Sequence, residues 1–385
     1  MINQKTIKLF IYIFLSVYLI NYIFFSHRLF IRENGYILGD WLINYAGGFT
    51  RRGLFGEITI YISNFLNLNL IDLTFILVTA LYLYFIFLVL RIISKCNIDF
   101  FILLLILSPA TFLFSFYDPL ATGRKEFLFF LFFCLYFLYR EKKIFIYFAP
   151  FILTTIILTH ELFAFLCPFF IIIRYLNTKS LKLRDYYFEI LIFFLCSFIL
   201  LLIYNFSSPN IDLTCDAIKN FGYNWRICFS INDLNTLKES KILISEYIKD
   251  KNYIFYYSLF IFLSLLPIIF CLKKCFNLSS YISFLLLFLS LLPISTLFFF
   301  VNDWGRYIHI YSFIWMLIIL SNNKIKEINL SYTKILIVLL YSSSWYIPHC
   351  CPDIHFSKYK FKPGIFYIYE RIHLRLTTEN HMYKS

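Results

Sequence analysis

IFIYFAPFILTTIILTHELFAFLCPFFIIIRYL, residues 144–176, is apolar throughout except for the polar pair His160-Glu161 in its middle. A helix needs about 20 apolar residues to cross the hydrocarbon of a bilayer. The run is too long for one such helix and short for two. It reads as two short spans that meet at His160-Glu161. That reading fixes the direction of every span that follows.

The rest of the chain has the same character. Of its 385 residues, 61% are hydrophobic and 22% aromatic, and mean hydropathy is +0.74. Only about half of a soluble domain is apolar, so the excess here calls for lipid as solvent. Working outward from 144–176, further apolar runs lie at 6–25, 71–94, 99–116, 126–139, 187–205, 253–272, 280–301, 307–321 and 330–347. The expectation is an all-α polytopic transmembrane bundle of about eleven spans over residues 1–347, followed by a C-terminal tail, 348–385. The first run lacks a small-residue cleavage site and reads as a retained span rather than a signal peptide.

Basic residues orient the bundle. With the N-terminus in the cytoplasm, the inner loops carry Arg91/Lys95, Arg140/Lys142/Lys143, Arg174/Lys179/Lys182/Arg184, Lys273/Lys274 and Lys324/Lys326. Short, basic cytoplasmic loops are what orientation by positive charge requires. They also account for the net charge of +13 without a nucleic-acid partner. The outer segments are then 26–70, 117–125, the turn at 160–161, 206–251 and 302–306. The tail falls outside as well, with Lys358, Lys360 and Lys362 against the trend. Most of the 10 cysteines lie in apolar runs, Cys134, Cys167, Cys196 and Cys271 among them, and act there as small hydrophobes. Cys215 and Cys228 share the polar segment 206–251. They could pair in an oxidising compartment or stay as thiols. No His/Cys array has zinc-like spacing.

The outer segments hold four unusual motifs. One is Gly47-Gly48-Phe49-Thr50-Arg51-Arg52-Gly53-Leu54-Phe55-Gly56-Glu57, which follows Gly39-Asp40-Trp41. Its glycines suit close backbone approach, and paired arginines offer forks that match phosphate oxygens. Residues 54–66 after it look amphipathic and suited to the interface. The second and third are Asp118-Pro119-Leu120-Ala121-Thr122-Gly123-Arg124-Lys125-Glu126 and Asn302-Asp303-Trp304-Gly305-Arg306-Tyr307. Each sets an Asp shortly before a Gly-Arg step that opens a helix, where free N–H groups favour anions. The fourth is His160-Glu161, a general-base candidate at membrane depth. Each motif also has a plainer reading: lipid-facing arginines, a capped helix end, a polar hairpin turn. Three Gly-Arg turns on one face are harder to assign to routine capping. The glycine spacing fits neither a P-loop nor a dinucleotide fingerprint.

Outward arginines beside a candidate base suit a lipid carrying a diphosphate at headgroup level. Arginines would hold the diphosphate as it leaves, and the base would deprotonate an attacking sugar hydroxyl. These motifs, taken together with the topology, resemble the bacterial O-antigen or capsule repeat-unit polymerases, which are similar in architecture to membrane-embedded glycosyltransferases of the C type. The resemblance implies an inner-membrane enzyme that joins undecaprenyl-pyrophosphate-linked repeat units in the periplasm. It implies Arg51, Arg52, Arg124, Lys125 and Arg306 as diphosphate ligands and Glu161 or His160 as the base. Asp118 and Asp303 would orient arginines or meet sugar hydroxyls. Expected partners are the polyprenyl-linked oligosaccharide, membrane lipid and a chain-length regulator or other assembly protein. No organic cofactor is called for. The chain departs from that pattern in two places: 206–251 is modest for the large periplasmic loop, and no paired acidic motif marks the first outer segment. The second departure leaves a divalent metal without support. The rival readings are a lipid-linked oligosaccharide flippase, a membrane acyltransferase acting on surface sugars, and a non-catalytic membrane subunit.

Overall fold

The computed structural model describes residues 2–118, 123–180, 182–223, 225–232, 251–299, 301, 303–322 and 330–349. Residues 233–250 of the outer segment, the basic loop at Lys324 and Lys326 and the tail beyond His349 lie outside the described residues. Every regular element described is helical. Six helical stretches are long and apolar enough to cross a membrane: Gln4–Ile31, Leu70–Lys95, Glu161–Thr178, Leu183–Phe206, Tyr253–Phe276 and Ser280–Phe299.

The first helix shows why lipid must surround the bundle. Ile7, Ile11, Leu15, Tyr18 and Tyr22 face inward at helical spacing, while Leu9, Ile13, Val17, Ile20 and Phe24 are exposed on the other face. Both faces are apolar, so the period marks burial in protein against contact with solvent of equal apolarity. Its start is fixed by Asn3, whose side chain accepts from the N–H of Thr6. At the centre stand two shorter helices, Phe127–Tyr139 and Trp304–Ser321, which are buried nearly all round. Phe127–Tyr139 packs against Leu70–Lys95 and Trp304–Ser321, and the last packs against Lys251–Phe276. Phe130 stacks on Phe313 across this centre at 4.2 Å.

Helix ends gather into two sets. In one set, Ile2 and Leu330 exchange backbone bonds of 2.8 and 3.1 Å, and Gln4 Nε2 donates to Ile98 O at 2.7 Å. Lys274 Nζ meets Asp99 at 2.6 Å, Arg140 faces Glu189 at 3.5 Å, and Lys179 Nζ donates to Phe276 O at 2.6 Å. The other set joins residues 34–57, 118, 123–126, 160–161, 207–230, 303–306 and 347–349, as detailed below.

Two expectations need revision. The run 99–116 is not one helix. It forms Phe100–Ile106, a turn, and the single turn Phe114–Tyr117. Pro109 supplies no N–H, and the Thr111 hydroxyl donates to Leu105 O at 2.6 Å, capping the broken end. Cys167 and Cys196, read as apolar filler, are joined by a disulfide with Cα atoms 6.9 Å apart. Leu54–Leu66 is a helix as expected. Its small and polar face, Gly56, Thr59 and Ser63, is the buried one, and Ile58, Tyr61 and Phe65 are exposed.

Candidate functional site

The two-arginine turn is held in place by the second outer segment. The backbone N–H of Asn210 donates to Gly47 O at 2.8 Å, that of Ser208 to Phe49 O at 3.1 Å, and Asn44 Nδ2 to Thr214 O at 2.9 Å. A Cβ on Gly47 would lie 2.0 Å from Asn210 O, so no side chain fits at this crossing. Here glycine serves backbone-to-backbone packing rather than approach to a ligand. Cys215 and Cys228 are joined by a disulfide, which ties the Ile211–Lys219 helix to the turn that follows. Arg52 adopts a left-handed backbone, φ 67°, which a non-glycine residue holds only when its surroundings compensate.

The compensation is ionic. Arg52 Nε lies 3.0 Å from both Glu161 oxygens, with Nη2 2.9 Å from Oε1. Its Nη1 faces Asp40 at 3.4 Å, and Arg51 reaches the same Glu161 at 3.4 Å. Lys125 lies beneath, fully buried. Its Nζ donates to Arg52 O at 3.2 Å and faces Asp40 at 3.8 Å. Burial lowers the Lys125 ammonium to about 8, with Arg52 adding to the shift and Asp40 opposing it.

A second group adjoins the first through His160. Arg306 pairs with Glu126 through Nε and with Asp303 through Nη1 at 2.8 Å, and its Nη2 donates to His160 Nε2 at 3.0 Å. A guanidinium only donates, so Nε2 is the accepting nitrogen and the imidazole is neutral. Burial and the neighbouring Arg52 and Arg306 hold His160 well below its ordinary range, with Glu161 opposing. Arg124 faces Asp303 at 3.8 Å and lies over the Tyr36 ring at 3.8 Å. Burial lowers Arg124 to about 10, with Arg306 adding to the shift. Burial pushes the Asp303 carboxyl up, but Arg306, Arg124 and His349 outweigh it and leave it below its ordinary range.

All three Gly-Arg turns and the His160-Glu161 pair therefore converge. Arg51, Arg52, Arg124, Lys125, Arg306, His160, Glu161 and Asp303 form one cluster. Asp118 stands one layer away. Its Oδ2 accepts the backbone N–H of His349 at 3.0 Å and also contacts His349 Nδ1. The His349 ring lies 5.9 Å from the Tyr36 ring, which Arg124 also covers. Asp40, Glu126, Tyr36 and His349 had no role from sequence. Asp40 and Glu126 stand inside quoted motifs, but nothing in their spacing says which arginine each meets. Two of the tryptophans in the outer segments are engaged within the fold: Trp41 Nε1 donates to Gly123 O at 2.5 Å, and Trp304 packs against Tyr253. The side chain of the third, Trp225, lies outside the described residues.

Below Arg124, Glu126 and Arg306 is a cavity of about 30 Å³ walled by aromatic rings, including the stacked pair Tyr22 and Tyr82, with His309 at its side. That volume holds about two waters. Tyr22 Oη is buried without a hydrogen-bond partner among the described residues. Among those residues, no group of His, Cys, Asp and Glu side chains could hold a metal ion. No protein-family model, no curated protein and no solved structure matches this chain.

Proposed function

We propose that this chain is an inner-membrane glycosyltransferase that joins polyprenyl-diphosphate-linked oligosaccharide units, in O-antigen or capsule assembly. One observation carries the reading: five cationic side chains from three distant turns meet a His-Glu pair at one end of an apolar bundle. The reading includes about eleven crossings, with the cluster outside the cell. Its support is the sorting of helix ends into two sets, one holding the basic loops and the other the cluster. The Cys215–Cys228 bond, beside the cluster, fits an oxidising compartment.

The cluster has two layers. Arg51 and Arg52 keep 24% and 26% of their side chains exposed, while Lys125 and Arg306 keep 0% and 9%. The diphosphate would meet Arg51 and Arg52 first, displacing Glu161 from their forks. The buried layer holds the turns in register and adds positive potential as charge develops on the leaving group.

The test is deletion of the gene followed by gel analysis of surface polysaccharide. Loss of a polymerase leaves core carrying a single repeat, and complementation restores the ladder. Arg124→Ala and Glu161→Gln should each fail to restore it while inserting normally. Full ladders from both variants would end the reading. A second reading, a non-catalytic subunit, has one observation in its favour: four carboxylates nearly neutralise the five cations. It predicts ladders in any variant that still folds.

A further inference from the structure

If the cluster is a transfer centre, a group must take the proton of the attacking hydroxyl. In the resting geometry neither sequence candidate is free for this. Glu161 has both oxygens on Arg52 and a third contact from Arg51. His160 gives its Nε2 lone pair to Arg306, so Nδ1 carries the ring proton and neither nitrogen is free to take another. Asp303 and Glu126 both hold Arg306, and Asp40 holds Arg52 and Lys125.

His349 is arranged differently. Asp118 accepts from Nδ1, which fixes the tautomer and leaves Nε2 as the basic nitrogen. Nε2 has no hydrogen-bond partner among the described residues. The residue is docked to the cluster by its own backbone. The N–H of Gly305 donates to His349 O at 3.2 Å, and Tyr257 Oη donates to Pro348 O at 3.0 Å. A Cβ on Gly305 would lie 1.9 Å from Pro348 O, so this docking is as close as a backbone allows. It sets the imidazole beside Tyr36, one ring away from Arg124, and near enough to Asp303 to act on its charge.

We propose that His349 is the general base of the transfer reaction and that Asp118 is its positioning residue. This rests on the glycosyltransferase reading above. The acceptor hydroxyl gives its proton to His349 Nε2, and its oxygen bonds to the anomeric carbon of the donor. The bond from that carbon to the diphosphate breaks, and the electron pair leaves on the diphosphate, where Arg51 and Arg52 meet the new charge. The imidazolium then returns its proton to water. An Asp that orients a His by its Nδ1–H and leaves Nε2 to react is a recurring solution to base catalysis.

The experiment uses the full chain in proteoliposomes, with the lipid extract of the deletion strain as substrate. His349→Ala should cut turnover about 10²- to 10⁴-fold with KM unchanged, and added imidazole should restore much of the rate. Asp118→Asn should show a smaller loss that imidazole does not restore. His349→Gln stands in if the alanine variant does not fold. Turnover at the wild-type level without His349, or a loss in a folded His349→Ala variant that imidazole leaves untouched, overturns the proposal. If the wild type itself forms no glycosidic bond, the transferase reading falls instead.

Discussion

Arg306 is the buried centre of the charge network, and its removal has a calculable consequence. It lies between Glu126 and Asp303, which are 5% and 8% exposed. Arg306→Met keeps much of the length and apolar bulk and deletes the charge. Two buried carboxylates are then left without their guanidinium partner. Removing one partner of a buried pair costs about 3–5 kcal/mol, mostly because the other charge is stranded. Asp303 retains Arg124 at 3.8 Å, so Glu126 carries most of the penalty. Adding Glu126→Gln to Arg306→Met removes the stranded charge and should return about half of the lost stability. Unfolding equilibria in mixed micelles measure all three variants against the wild type. Ladder formation should be absent from both single variants and the double one, since stability returns but the guanidinium does not. If Arg306→Met costs less than about 1 kcal/mol, or the double variant is no better than the sum of the singles, the groups are not an energetic unit.

Three other outcomes follow from the same geometry. Lys125 is held at about 8 in the fold against an ordinary 10.5, so between those values the unfolded chain binds the extra proton. Stability should rise by about 3 kcal/mol as pH climbs through that window, and Lys125→Met should remove the rise, as read by unfolding at pH 7.5 and pH 10.5. Gly47→Ala should leave insertion intact but abolish ladders, because the new methyl group forces Asn210 and the two-arginine turn apart. A Gly47→Ala variant with normal ladders would show that the turn tolerates the shift. Reducing Cys215–Cys228 with dithiothreitol should loosen the segment that carries Asn210 and Thr214, and proteolysis within 206–232 should speed up; unchanged cleavage would show that packing alone holds it.

Much of this was legible in the sequence because each signal was local. Apolar runs gave helices, and the split of 144–176 at His160-Glu161 is present as the end of Lys143–Thr159 and a 3-10 turn at Glu161–Leu166. The three Gly-Arg turns were visible because charge is conspicuous against lipid-soluble sequence. What escaped was pairing across the chain. Arg52 meets Glu161 from 109 positions away and Arg306 meets Glu126 from 180, and no local pattern encodes such a match. His349 follows the last apolar run as a lone histidine. Its place depends on bonds from the Gly305 N–H and the Tyr257 hydroxyl to the backbone of residues 348–349, which only the fold reveals. The break after Ile106 was signalled by Ser108-Pro109, but the apolar content on both sides outweighed it.

The near-neutrality of the cluster bears on how it would work. Five cations held together without counter-charge at the membrane boundary would repel one another and would be costly to desolvate. Asp40, Glu126, Glu161 and Asp303 make the assembly affordable at rest. They are not equivalent, however. Glu126 is buried against Arg306, whereas Glu161 holds arginines a quarter exposed. A diphosphate approaching from outside can compete for the second kind of contact and not for the first. Glu161 would thus act as a stand-in for substrate, keeping Arg51 and Arg52 oriented until an anion of higher charge takes its place. Glu161→Gln would then lose ladder formation by freeing Arg51 and Arg52 to adopt other rotamers, and it would raise affinity for inorganic pyrophosphate by removing the competing carboxylate. Pyrophosphate binding to the variant weaker than to the wild type would mean that the carboxylate serves only to hold the turn.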